Sequence, residues 1–256
     1  MSTVNRKKGL TVDFHTHILP GIDDGSRRVS TSVEMLERLH AQGVDYCVLT
    51  PHYYKTKEPI EKFIKRREES FMLLKEAYDE SNSPLLSLGA EVHMSHGLSD
   101  VDLMPLCMGS SNILMVEFPI DKLQYWMMDE IEHIAFEQNI VPMIAHVDRL
   151  ITRYKEKDLK QLFEFEDFIF QVNNDSLFRL KKRFDLSKYF EEWRPFVLGS
   201  DTHDMTKRAP NFDKAQKKIT SIPLGKKFAD TVANTNKYLI GPIFGKGITV
   251  KNKNED

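Results

Sequence analysis

Three observations predict an α/β fold built on parallel strands. Seven short apolar segments alternate with longer amphipathic segments along the chain. Each apolar segment is rich in β-branched or aromatic residues and apolar on both faces, as expected of a parallel strand covered on both sides. The length of 256 residues suits one domain of this class, because single α/β barrels commonly need about 250 residues. Seven strand–helix units indicate a parallel barrel or a doubly wound sheet.

The strand and helix predictions follow the same alternation. The predicted strands are TVDFHTHI (11–18), DYCVLTPH (45–52), LLSLGAEVH (85–93), NILMVEFP (112–119), IVPMIAHV (140–147), DFIFQVNN (167–174) and PFVLGSDTH (195–203). The first predicted helix carries the capping-box pattern Thr31-x-x-Glu34. The predicted helices are 30–43, 58–80, 124–138, 157–166, 176–192 and 212–236, with a shorter turn near 98–107. The sequence has no internal repeat, low-complexity stretch or linker, so we predict one domain over 1–256 with frayed ends at about 1–9 and 251–256.

Composition excludes several classes of function. The 36 Lys and Arg residues nearly balance the 38 Asp and Glu residues, so the chain lacks a broad electrostatic footprint for nucleic acid or anionic lipid. No apolar run approaches the length of a membrane span, and no apolar segment follows the charged N-terminus as in a secretory signal. We therefore expect a cytoplasmic protein without membrane insertion and without nucleic acid as a partner.

The two cysteines, Cys47 and Cys107, fit buried thiols in a reducing compartment. Neither begins a Cys-x5-Arg phosphate loop, because Tyr53 and Ile113 occupy the positions six residues further on. If the protein handles phosphate, a cysteine nucleophile of that kind is excluded.

Imidazole and carboxylate side chains concentrate where the predicted strands end. His15 and His17 end the first strand, and Asp201 and His203 end the seventh. Residues two apart on a strand point to the same side, so each pair shares a direction. The other residues of this kind at strand ends are His52, Glu91, Glu117 and His146. In a parallel barrel these ends lie on one face, so six strands bring such residues to one mouth.

This convergence predicts a metal site. Burying so many carboxylates and imidazoles without compensation would cost several kcal/mol each, and metal cations are the natural compensation. Asp24, in the loop LPGIDDG after the first strand, is placed above the same mouth and is a further candidate ligand. His93 shares a strand face with Glu91 and is placed to line the pocket, but we rank it neither as a ligand nor as a general acid.

The order and spacing of these motifs resemble a known family. H-x-H-x-L-P-G-x-D-D-G, followed by TPH, GAEVH, VEFP, IAHVDR and SDTH, resembles the polymerase-and-histidinol-phosphatase (PHP) superfamily over about residues 11–210. The resemblance is closer to its bacterial tyrosine-protein phosphatases of capsular and exopolysaccharide operons, the CpsB/CapC-like group. It implies a distorted seven-stranded (β/α)7 TIM-like barrel with three divalent metal ions, assigned as manganese, with iron or zinc as alternatives.

The resemblance also implies roles for individual residues. The three implied ligand sets are His15, His17, Glu91 and Asp201; Glu91, Glu117 and His146; and Asp24, His52 and His203. Arg149 and Arg208 match arginines implicated in handling the substrate phosphate. A metal-activated hydroxide would hydrolyse phosphotyrosine, and the implied partner is the C-terminal tyrosine cluster of a bacterial tyrosine kinase that controls capsule synthesis. Imidazole and carboxylate ligands without thiolate suit manganese, iron or zinc and do not select among them.

Three alternatives remain open. A histidinol-phosphate or other small phosphomonoester phosphatase of the same superfamily would need the same metals. Asp24 and Glu117 favour the tyrosine-phosphatase group, because the histidinol-phosphatase branch more often has His at those positions. A PHP exonuclease fits less well, because the chain has no basic excess and no attached polymerase. A degenerate metal-binding regulator without catalysis fits poorly with a complete ligand set.

Overall fold

The computed structural model describes residues 10–177, 195–219, 221 and 225–245. The predicted frayed ends and most of the predicted helix at 176–192 lie outside these residues. Nine strands are described: β1 Val12–Asp13, β2 Tyr46–Leu49, β3 His52–Tyr53, β4 Leu85–Leu88, β5 Glu91–His93, β6 Ile113–Glu117, β7 Val141–Ile144, β8 Ile169–Asn173 and β9 Phe196–Gly199. Seven helices are described: α1 Val29–Ala41, α2 Ile60–Ala77, α3 Tyr125–Glu137, α4 Val147–Arg153, α5 Glu156–Phe163, α6 Phe212–Ile219 and α7 Gly225–Phe244.

The strands form two parallel sheets, which confirms the predicted α/β class. One sheet has the order β1-β2-β4 and the other the order β3-β5-β6-β7-β8-β9. Each of the seven predicted segments contains a strand, but 45–52 and 85–93 each contain two. The two interrupted segments remain paired along their length, because β2 pairs with β4 before the interruption and β3 pairs with β5 after it. The break contains Pro51, which has no backbone N–H to donate to a ladder.

Backbone hydrogen bonds also link the segment after β1 to β9 and to the residues that follow β9. Phe14 N–H donates to Leu198 O at 3.2 Å, and His17 N–H donates to Thr202 O at 2.9 Å. An isolated parallel bridge joins Thr16 to Thr202. The last described strand therefore returns to the first.

Two helix predictions need correction, and one helix was not predicted. The prediction at 212–236 covers two helices, α6 and α7, and the sequence between them contains Pro223, which disfavours a continuous helix. The segment after 147 forms a further helix, α4, that periodicity did not indicate. Thr31 is not an N-cap, because α1 begins at Val29 and no side chain caps it.

Two apolar clusters support the sheets. The larger lies between strands and helices, with Leu36, Phe63 and Phe170 fully buried in it. The smaller takes side chains from both sheets and from α7, among them Met115 and Ile240. Within the described part of the chain, no helix combines the length and the apolarity that crossing a bilayer requires.

Candidate metal centre

The nine predicted ligands lie together in one cluster, eight of them in three groups of possible ligand atoms and the ninth, His146, with its Nε2 3.0 Å from Glu91 Oε1. The described residues contain three groups whose nitrogen or oxygen ligand atoms lie within 4.8 Å of one another and could hold a metal ion. These groups are His17, Asp24, His52 and His203; His15, His17 and Asp201; and His52, Glu91 and Glu117. Their assignment as ligands stays a prediction, but the convergence that the sequence predicted is present in the fold.

Glu91 is at the centre of the cluster. Its Oε2 lies 3.2 Å from the Nε2 atoms of both His15 and His17, and 3.0 Å from His52 Nδ1. Its Oε1 lies 3.0 Å from His146 Nε2. The side chain is only 1% exposed, so one buried carboxylate faces four imidazoles. This position between neighbouring groups is the one expected of a bridging ligand.

The remaining predicted ligands surround this centre. Glu117 Oε1 lies 3.3 Å from His146 Nε2. Asp24 Oδ1 lies 3.4 Å from His203 Nε2 and 3.6 Å from His52 Nε2. Asp24 is 66% exposed, so its side of the cluster faces solvent.

The neighbouring Asp23 has a different task from Asp24. Its Oδ2 accepts hydrogen bonds from His17 Nδ1 at 2.7 Å and from the backbone N–H of His52 at 3.0 Å. Asp23 thus orients the imidazole of His17 and holds the backbone of His52, a role that the sequence did not separate from that of Asp24. Gly25 lets the loop fold back this closely, because a Cβ there would lie 2.1 Å from His17 O.

The arrangement of His15 and His17 requires positive charge between them. Their Nε2 atoms face each other at 3.1 Å. His15 Nδ1 lies 3.0 Å from Gln171 Oε1, and His17 Nδ1 lies 2.7 Å from Asp23 Oδ2, so both Nδ1 atoms face acceptors. In the neutral rings both Nε2 atoms then carry lone pairs directed at one point, which is stable only with a proton or cation there. The donor set therefore fits a metal ion.

Buried polar atoms without hydrogen bonds also indicate that the cluster binds a cation. Glu91 Oε2, His52 Nδ1 and His203 Nε2 are buried and have no hydrogen-bond partner among the described residues. Leaving such groups unpaired costs about 1–3 kcal/mol each, and more for a charged group. Coordination of a cation would satisfy all three.

The pKa values of the cluster also indicate a demand for positive charge. Burial opposes the charged form of His17, but the hydrogen bond that its ring donates to Asp23 and the negative charge of the neighbouring Glu91 outweigh burial and raise the pKa to about 10. Burial likewise opposes the charged form of His146, but Glu117 and Glu91 raise its pKa to about 9. Burial acts to raise the pKa of Asp23, yet its bond with His17 lowers it to about 2. Without a metal, the carboxylates stabilise the protonated form of these histidines, and binding of a divalent ion would release those protons.

Two residues of the cluster have a strained backbone. His146 has φ 31° and Asp201 has φ 52°, in the left-handed region that non-glycine residues rarely adopt. Such conformations cost of the order of 1–3 kcal/mol and collect at functional sites. Both residues lie two positions after the end of a strand, where the unusual φ turns the side chain into the cluster.

Arg149 and Arg208 both reach the cluster from its rim. Arg149 Nη2 donates to Asp201 Oδ2, and Arg208 Nη2 lies 2.5 Å from Asp201 Oδ1. Their side chains are 39% and 38% exposed, so each is also accessible to a molecule at the mouth. The two guanidinium groups therefore contact the same buried carboxylate, one at each of its oxygens.

The two thiols lie away from this chemistry. Cys47 and Cys107 are free and buried. Burial raises the pKa of Cys47 well above its usual value and that of Cys107 to about 12. Both stay protonated at neutral pH, which makes them poor nucleophiles.

Comparison with known proteins identifies the family. The family model described as "Capsular polysaccharide synthesis, CpsB/CapC" matches residues 11–240, most of the chain. The chain belongs to the CpsB/CapC family. It is 24% identical over 215 residues to the tyrosine-protein phosphatase CpsB of Streptococcus pneumoniae, covering 80% of this chain and 87% of the relative. It is 25% identical over 224 residues to CpsB of Streptococcus agalactiae serotype III, covering 81% and 89%.

A solved structure of the CpsB/CapC family shares the fold. It comes from work on YwqE of Bacillus subtilis and CpsB of Streptococcus pneumoniae, which are described there as unique metal-dependent tyrosine phosphatases. The TM-score is 0.62 at 19% identity, with 88% of this chain and 95% of the other covered. The family resemblance drawn from the motifs is therefore confirmed.

Proposed function

We propose that this chain is a metal-dependent protein-tyrosine phosphatase. The observation that carries the proposal is the pair of inward-facing Nε2 atoms of His15 and His17 beside Glu91, a buried donor set that requires a cation. The relatives named as tyrosine-protein phosphatases support the choice of substrate. The two arginines at the rim support a phosphate substrate, because guanidinium groups bind phosphate oxygens well.

The cluster has donors for three divalent ions, and we assign them as manganese. The proposed ligand sets are His15, His17, Glu91 and Asp201; Glu91, Glu117 and His146; and Asp24, His52 and His203. The distances within the cluster support three neighbouring sites that share ligands, because His17 also lies with the third group and His52 also lies with Glu91 and Glu117. His146 joins the second set through Glu91, whose Oε1 lies 3.0 Å from His146 Nε2. Mixed nitrogen and oxygen donors without sulfur suit manganese, with iron or zinc as alternatives.

The protein's own groups would then act on the phosphate from fixed positions. Divalent ions at such a site lower the pKa of water to near neutrality and neutralise phosphate charge. Arg149 and Arg208 would grip the equatorial phosphate oxygens, where charge develops during transfer. Tyrosine is a favourable leaving group compared with serine, because the pKa of a phenol is about 10.

The proposal extends to architecture and location. The hydrogen bonds that join the segment after β1 to β9 and the residues following it support one distorted seven-stranded TIM-like barrel. The matched breaks between β2 and β3 and between β4 and β5 support the same architecture. We propose a single domain over 1–256. The two free buried thiols support a reducing, cytoplasmic location.

The proposed partner is a phosphotyrosine-bearing protein, the C-terminal tyrosine cluster of a bacterial tyrosine kinase that controls capsular or exopolysaccharide synthesis. Family membership in capsular polysaccharide synthesis supports this choice. No membrane insertion and no nucleic acid are part of the proposal.

Hydrolysis measured on four substrates tests the activity. The purified chain with manganese is assayed on a phosphotyrosine peptide, the same peptide with phosphoserine, histidinol phosphate and para-nitrophenyl phosphate. We expect the highest kcat/KM on the phosphotyrosine peptide. Preference for histidinol phosphate would replace the proposal with the small-phosphomonoester alternative. Metal binding without turnover on any substrate would indicate a regulator.

A further inference from the structure

Strand β8 supplies none of the predicted ligands, yet its inner face carries two buried amides. Gln171 is 0% exposed and Asn173 is 6% exposed. They are two residues apart on the strand, so both side chains point to the same side, towards the cluster. A buried amide costs free energy unless its donors and acceptors are paired, and these are paired with the predicted ligands.

One backbone group fixes the orientation of the Gln171 amide. The backbone N–H of His146 lies 2.7 Å from Gln171 and can only donate, so the atom that it faces is Oε1. The same Oε1 lies 3.0 Å from His15 Nδ1, which must therefore be the protonated nitrogen of that ring. The lone pair of His15 is left on Nε2, which is the atom that faces the cluster.

The orientation of the Gln171 amide in turn fixes the orientation of the Asn173 amide. Gln171 Nε2 donates to Asn173 Oδ1 at 2.9 Å. The other atom of that amide is Nδ2, which donates to Asp201 Oδ2 at 2.8 Å. The backbone N–H of His146 therefore fixes which way both buried amides point. Through them it fixes the hydrogen bonds that His15 and Asp201 make.

Strand β9 leaves room for this connection at Gly199. A Cβ there would lie 2.5 Å from His15 Cβ and 2.6 Å from Gln171 Nε2, distances that no side chain tolerates. The close packing of the imidazole, the amide and the glycine backbone leaves His15 little freedom to rotate.

We propose that Gln171, continued by Asn173, is a positioning residue that selects the metal-binding tautomer of His15 and orients Asp201. The inference rests on the proposed metal centre. Groups that orient metal ligands in this way commonly contribute about 10- to 100-fold to metal affinity or activity. Without Gln171, His15 could place its proton on Nε2, where it would compete with the metal.

Chelator competition tests the inference with a matched control. Gln171→Met keeps the shape of the side chain but removes three hydrogen bonds. Gln138→Met also removes three, since Gln138 bonds the backbone of Ser99, Val101 and Leu103 away from the site. We expect Gln171→Met to weaken manganese affinity by about 10- to 100-fold, and Gln138→Met to lower thermal stability with affinity unchanged. Gln171→Glu keeps the acceptor for His15 Nδ1 but loses the donor to Asn173 Oδ1, so it should recover only part of the affinity.

Nitrogen-15 NMR of the zinc-loaded protein gives a second readout that needs no variant. We expect His15 to carry its proton on Nδ1 and the metal on Nε2. The reverse assignment overturns the inference, and so does a folded Gln171→Met with unchanged affinity. If Gln171→Met does not fold, the NMR assignment decides. If the unaltered protein binds no divalent metal at all, the proposed function fails instead, and the two failures are distinguishable.

Discussion

Arg149→Ala is the substitution that separates phosphate binding from metal binding. Arg149 lies on α4, three residues after His146, and its guanidinium touches Asp201 at the rim of the cluster. A guanidinium stays protonated and cannot donate a lone pair to a metal. Asp201 keeps its contacts with Arg208 and Asn173 when Arg149 is removed. We therefore expect metal content and fold to be retained.

The size of the effect follows from the exposure of the side chain. Removing one preorganised donor from a closed site costs about 2.7–4 kcal/mol. Arg149 is 39% exposed, so water screens its charge and the loss should lie near the lower end. We expect about 2–3 kcal/mol, which is a loss of roughly 30- to 150-fold in kcat/KM. Arg149→Lys should recover only part, because an ammonium cannot grip two oxygens in a plane.

The assay is kcat/KM on a phosphotyrosine peptide, with metal content measured on the same samples. Arg153→Ala is the matched control, because Arg153 is an exposed arginine one turn further along the same helix. It should keep wild-type turnover. Unchanged kcat/KM in both Arg149→Ala and Arg208→Ala would refute the phosphate role. Loss of metal in Arg149→Ala would mean that Arg149 acts by holding Asp201.

Further predictions concern the metals, the thiols and the loop that closes on the cluster. Chelation should abolish turnover and manganese should restore it, whereas replacing Cys47 and Cys107 together with Ser should leave it largely intact; inactivation by thiol alkylation alone would contradict this. Glu91→Gln should lower kcat/KM by more than about 100-fold with reduced metal occupancy in elemental analysis, because this buried carboxylate faces four imidazoles. Gly25→Ala should lower the melting temperature by about 4–8 °C, equivalent to about 2 kcal/mol, since its Cβ would lie 2.1 Å from a backbone oxygen. Gly241→Ala, with nothing within 4 Å of the added atom, is the control and should not be destabilised.

Strand positions and the main cluster could be predicted from sequence because local patterns encode them. Apolar runs of strand length mark the seven segments, and the side chains at their carboxyl ends converge in any parallel arrangement. The position of His203, for example, follows from its place two residues after Asp201 at a strand end. Family motifs then divided the residues among three metals, a division that composition and spacing alone leave open.

The residues that support the cluster were missed because their role depends on contacts between distant strands. Gln171 is 156 residues from His15 in sequence, and only pairing of the strands brings them within 3.0 Å. The available signal was the pair Gln171 and Asn173, polar residues two apart in an otherwise apolar strand. The different roles of Asp23 and Asp24 depend on the path of the loop over His17. Because the two residues are adjacent and of the same type, the sequence does not show which of them contacts His17.

The return of the last described strand to the first has a consequence for biosynthesis. His15 emerges from the ribosome before His203, yet they belong to one cluster, so no nascent chain that ends before His203 contains the complete cluster. A bound ion would act as a cross-link between the two ends of the fold, stabilising it by about 2.7 kcal/mol at a concentration one hundred times its Kd. Contacts of such long sequence separation form slowly. We expect newly made protein to stay protease-sensitive until metal is supplied, so that divalent cation availability sets its accumulation; pulse proteolysis during translation with and without manganese would measure this directly.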